Sequence, residues 1–167
     1  MTTDTSAAVN ALQQALELER SGYRFYTEAA ERTVDSKGSE MFRSLAGVEA
    51  LHQQVIERQI DALSADEGWV LPEGAKDVVV DLETPLFPEG KVDLEKAIQP
   101  DASDLDALLF ALKIENDSFE LYMAQAKAAE DPNAKRLYEY LVDAERTHFN
   151  LLMLNYESLV SNAGWVG

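Results

Sequence analysis

A chain of 167 residues is the size of one domain with a core of its own, and its formal net charge of -17, from 31 acidic and 14 basic residues, repels phosphate backbones and anionic membrane surfaces. No nucleic-acid or membrane partner is expected. The absence of cysteine excludes disulfides, iron-sulfur clusters and a four-thiolate iron site within the chain, so any electrons it uses come from elsewhere.

The opening residues, Met1 to Ser6, lack the basic start and apolar run of a signal peptide, and no apolar stretch approaches the roughly 20 residues of a membrane span. A cytoplasmic protein, organised as a single domain over 1–167, is the expectation.

Four segments carry helical periodicity. The first, about 6–36, has an inward seam of Leu12, Leu16, Glu19, Tyr23, Tyr26 and Ala30, and ends at the Ser36-Lys37-Gly38 break. Ser39 then caps a second helix, about 39–65, with the seam Phe42, Leu45, Glu49, His52, Ile56 and Leu63.

A connection over 66–102 contains Pro72, Gly74, Pro85, Pro88, Gly90 and Pro100, with a short extended piece at Val78 to Val80 and a short helix at Asp93 to Ile98 as expectations within it. Its length suits a crossover joining two antiparallel hairpins end to end.

The third helix, about 103–130, follows Ser103, which with Asp106 three residues on resembles a capping box, and its seam is Leu108, Leu112, Glu115, Phe119, Tyr122 and Ala126. Asp131 and Pro132 open the fourth, about 132–160, with the seam Tyr138, Leu141, Glu145, His148, Leu152 and Leu159. The fold class is thus all-α, a four-helix bundle. Trp69 and Trp165 lie off the seams and read as packing or interface residues.

A constant offset of 96, the difference between 115 and 19, relates Glu19 to Glu115, Glu49 to Glu145 and His52 to His148. It also relates Leu12 to Leu108, Tyr26 to Tyr122, Phe42 to Tyr138 and Leu45 to Leu141. Each half is one hairpin, and the glutamates within it sit level across its turn.

Four glutamates and both histidines therefore stand where apolar residues belong. One unpaired buried carboxylate costs several kcal/mol or is forced neutral. Four at one level call for counter-charge, which two divalent cations supply. A lone Glu-x-x-His in so acidic a chain means little, but here there are two copies with two matched glutamates.

A glutamate from each of two helices plus Glu-x-x-His from each of the other two is the ligand inventory of ferritin-like di-iron and di-manganese proteins. Glu19, Glu49, His52, Glu115, Glu145 and His148 are thus the expected metal ligands and reactive centre. Imidazole and carboxylate donors without thiolate suit iron, the metal expected, or manganese, and argue against structural zinc. Tyr26 and Tyr122, seven residues after Glu19 and Glu115, can reach a ligand carboxylate across the bundle; ordinary core packing is the other reading.

The stretches ALELERSGYRFYTEAAER, FRSLAGVEALH, ALKIENDSFELY and YLVDAERTH, with PLFPEG in the crossover, resemble the rubrerythrin-like branch of the ferritin-like superfamily. The resemblance implies a non-haem site of two iron ions that reacts with peroxide or dioxygen, an external electron donor for a peroxidase, and a homodimer. Two departures stand out. No C-terminal rubredoxin domain, such as rubrerythrins proper carry, is expected, and Ser118 stands where they carry a further glutamate.

The expected function is a di-iron oxidoreductase acting on peroxide or dioxygen. Alternatives are a ferroxidase with ferrous iron as substrate, to which the acidic surface could draw ions, and a non-catalytic metal-binding or sensing bundle.

Overall fold

The computed structural model describes residues 3–75, 80, 82 and 104–166. Among the described residues, regular structure comprises four α-helices and no strand: α1 Thr3–Arg32, α2 Ser36–Ser64, α3 Asp104–Ala128 and α4 Pro132–Val160. None is long and apolar enough to cross a membrane. The extended piece at Val78 and Val79, the helix at Asp93 to Ile98, PLFPEG and the Ser103 cap lie outside the described residues.

The arrangement is a ferritin-like four-helix bundle of two hairpins, α1 with α2 and α3 with α4, and α1 also packs on α3. Its core falls into two apolar layers. One contains Tyr26, Phe42, Leu45, Leu108, Leu112 and Leu152; the other contains Leu12, Ile56, Phe119, Tyr122, Leu137 and Leu141. Following each helix from layer to layer makes α1 antiparallel to α3 and α2 antiparallel to α4. Helix α2 ends beside the second layer and α3 begins beside the first.

The turn between α1 and α2 corrects the sequence expectation. Asp35, not Ser39, is the N-cap of α2, its Oδ1 accepting from the Lys37 and Gly38 amides at 2.9 and 3.2 Å. Ser39 lies inside the helix and donates its hydroxyl to the Ala30 carbonyl at 2.7 Å. Gly38 is there for close approach, not to break the helix: a Cβ would lie 2.6 Å from Trp165 Cε2 and 2.8 Å from Thr33 Cγ2. Gly38→Ala is expected to cost about 1–3 kcal/mol by overpacking, beyond what helix propensity returns. An unchanged urea midpoint would contradict this packing. Asp131 caps α4 with Pro132 in its first turn, as the sequence predicts.

The 96-residue offset continues past the helices. Asp35 and Asp131 are equivalent caps, and Asp66 and Asn162 both have φ 58°. Gly68-Trp69-Val70 repeats as Gly164-Trp165-Val166. The Val70 amide donates to Gln59 Oε1 at 2.8 Å and the Val166 amide to Asn155 Oδ1 at 2.9 Å, again one offset apart. Each tail crosses to the opposite hairpin. Trp69 meets Tyr138 of α4 edge-on at 5.8 Å, and Trp165 meets Phe42 of α2 edge-on at 5.8 Å.

Candidate metal centre

Between the two apolar layers lies one polar layer. Glu19 of α1, Glu49 and His52 of α2, Glu115 of α3, and Glu145 and His148 of α4 are all buried in it. Their ligand-capable atoms form two overlapping groups, Glu19, Glu49, His52 and Glu145, and Glu49, Glu115, Glu145 and His148; within each, the atoms lie within 4.8 Å of one another. Helical spacing explains the convergence, since a residue three after a glutamate shares its face.

Both imidazoles turn Nδ1 into the layer, with ring centroids 5.6 Å apart. His52 Nδ1 lies 3.1 Å from Glu19 Oε2, 3.3 Å from Glu145 Oε1 and 3.9 Å from Glu49 Oε2. His148 Nδ1 lies 3.4 Å from Glu49 Oε1, 3.4 Å from Glu115 Oε2 and 3.6 Å from Glu145 Oε2. Glu49 and Glu145 each present one oxygen to each imidazole, whereas Glu19 and Glu115 each serve one.

The outer oxygens of that second pair are held across the bundle. Tyr26 donates its hydroxyl to Glu115 Oε1, and Tyr122 donates to Glu19 Oε1. Each tyrosine thus leaves the other oxygen of its glutamate aimed at an imidazole.

Without a cation this layer is electrostatically poor. Burial raises the Glu49 carboxyl well above its ordinary value, reinforced by Glu19, and burial with the Glu145 charge does the same at Glu115. Burial alone would raise Glu145 and lower both imidazoles, but their mutual contacts win. Glu115, His148 and His52 hold Glu145 low, while Glu145 and Glu19 at His52, and Glu115, Glu145 and Glu49 at His148, hold the imidazoles high. Among the described residues, Glu49 Oε1, Glu115 Oε2, Glu145 Oε1, His148 Nδ1 and His52 Nε2 are buried without a hydrogen-bond partner. Orphaned carboxylate oxygens and an imidazole nitrogen turned into one buried layer, donors of hard and borderline type, fit divalent metal of the iron or manganese kind.

One expected seam residue falls elsewhere. Tyr23 is 41% exposed, and the inward position between Glu19 and Tyr26 belongs to Gly22. Steps of three or four allow either residue, and glycine carries no apolar signal. The small Ser118 at the matching position of α3 is the sequence clue that favours it.

A ferritin-like bundle with a carboxylate and histidine layer defines a class, and comparison narrows it. The rubrerythrin family model matches residues 10–101, and the chain belongs to that family. That match covers Glu19, Glu49 and His52, while the second hairpin's three residues enter through the repeat. Among solved structures, a hypothetical protein from Pyrococcus furiosus shares the fold, with a TM-score of 0.67 over 95% of this chain and 92% of its own at 22% identity. No curated protein matches the chain.

Proposed function

We propose that this protein is a non-haem di-iron oxidoreductase that reduces peroxide or dioxygen. The observation that carries the reading is the placement of Glu49 and Glu145, each offering one oxygen to either side of the layer, as carboxylates that bridge two metals would. Glu19 with His52 would complete one metal's ligands and Glu115 with His148 the other's. Ferrous iron held there would supply the two electrons that, with two protons, reduce hydrogen peroxide to two waters, and an external donor would have to replace them.

The chain's own contribution is positional. Tyr26 and Tyr122 fix the terminal carboxylates, and the apolar layers on either side keep bulk water from the reacting level. Phenylalanine at either tyrosine is expected to lower metal affinity about 10–100-fold, read by competition with a chelator; unchanged affinity would count against this role.

A ferroxidase role is the second reading, favoured by Ser118, which is buried one turn beyond Glu115 where a further carboxylate would otherwise join the site. A homodimer is part of the proposal, supported by the partly exposed apolar residues of α3, Leu105, Leu109, Phe110, Ile114 and Leu121, and so is a cytoplasmic location.

The test is to load metal-free protein anaerobically with two equivalents of ferrous iron per chain, then mix it rapidly with peroxide or air. Fast oxidation with peroxide supports the first reading. Faster reaction with oxygen, with turnover of further ferrous iron, selects the second. Two metals bound without rapid oxidation would indicate a structural or sensing role, and no stoichiometric uptake would overturn the metal centre.

A further inference from the structure

Gly22 lies buried in the interior of α1, one turn beyond Glu19. Apart from proline, glycine is the least favourable residue in a helix interior, so its presence there calls for a local reason. The surroundings supply one. A Cβ on Gly22 would stand 3.4 Å from both Cδ and Oε2 of Glu49 and 3.6 Å from its Cγ. The Glu49 carboxylate therefore lies against the bare backbone of α1, and Oε2 is the oxygen it turns towards His52.

Glu49 belongs to both four-residue groups, so its reach across the layer decides whether two ions can be held together. We propose that Gly22 is a positioning residue for Glu49: no side chain reaching beyond a Cβ fits at this point of α1 while the carboxylate keeps the place from which it would serve both metals. The inference rests on the dimetal reading above and adds an inequality between its two sides. The repeat puts Ser118 in the matching place in α3, so only the α1 side is stripped to the backbone.

Contact at Cβ is at the ordinary van der Waals limit, and alanine fits. Valine adds two atoms beyond Cβ and is held to essentially one rotamer in a helix, so it pushes the carboxylate away from α1. Gly47 of α2 has nothing within 4 Å of a built Cβ, which makes Gly47→Val the control for helix propensity alone.

The experiment titrates wild type, Gly22→Ala, Gly22→Val and Gly47→Val with cobalt(II) in chelator-free buffer, following visible absorbance, and measures metal-free urea unfolding in parallel. Wild type, Gly22→Ala and Gly47→Val are expected to take two ions per chain. Gly22→Val is expected to bind the second at least about tenfold more weakly while still unfolding cooperatively without metal. If Gly22→Val does not fold, Gly22→Ser supplies the same comparison with one atom beyond Cβ. Two ions bound at wild-type affinity by the folded variant would overturn the role of Gly22 alone. No uptake by wild type would overturn the dimetal reading and this role with it.

Discussion

With a chelator present, the protein should unfold more easily as the pH rises from about 5.5 to 8.5, and the stabilisation conferred by two manganese ions per chain should widen over the same range. Glu49, Glu115, His52 and His148 all have folded values above their ordinary ones, near 4.5 for the carboxyls and 6.5 for the imidazoles. The metal-free folded chain therefore keeps protons that the unfolded chain has lost. The stability each group contributes is complete below its unfolded value and disappears as the pH climbs through its folded value, at up to about 1.4 kcal/mol per pH unit.

Glu145 runs the other way. Held low, it contributes stability above 4.5 that is lost only in strong acid, outside this range. Metal ligands carry no such protons, so loading releases at least the two imidazole protons near pH 7 and the gain from metal grows with pH. At a free metal concentration of about 1,000 times Kd the stabilisation is about 4 kcal/mol for one site, which corresponds to roughly 8–16 °C in Tm for a chain of this size. Urea midpoints across the range, with and without chelator, make the comparison. Parallel pH profiles would sink the idea that these four groups hand their protons over to metal.

The features visible in the sequence are those that break a pattern. Helical seams are apolar by default, so Glu49, His52, Glu145 and His148 stand out by being on them, and the offset of 96 ties the two hairpins together. The structure places all six polar seam residues in one layer, and the seven-residue spacing of Tyr26 and Tyr122 brings their hydroxyls to the opposite hairpin's glutamates.

Harder to read are residues that act by what they lack. Gly38 looks like a helix break, yet the chain turns earlier because Asp35 caps α2 and Trp165 needs the space above Gly38. Gly22 has no apolar signal and loses its inward place to Tyr23. The tails escape a search for helical periodicity because they have none. Only literal comparison of Gly68-Trp69-Val70 with Gly164-Trp165-Val166 discloses them.

Those tails lead to the second large effect: Trp165→Ala is expected to cost about 3–5 kcal/mol of stability, and Trp69→Ala less. Trp165 is only 8% exposed and fills the space bounded by Phe42, Gly38 and Thr33, all on or beside the first hairpin, although its own chain belongs to the second. Its truncation leaves a cavity and removes one of the two reciprocal tail contacts across the hairpins. The tail's hydrogen bonds, Val166 to Asn155 and Ser158 to Gly164, lie within the second hairpin and cannot replace that contact. Trp69 makes the matching contact with Tyr138 at the other end of the bundle but is only partly buried, so its truncation exposes less new apolar surface. Because the two sites share no partner and are separated by most of a helix's length, the losses should add in the double variant to within about 0.5 kcal/mol. Urea unfolding in chelator measures all three proteins. A loss below about 1 kcal/mol for Trp165→Ala would mean that the tails merely cover the bundle ends, leaving α1–α3 packing and the polar layer to hold the hairpins together.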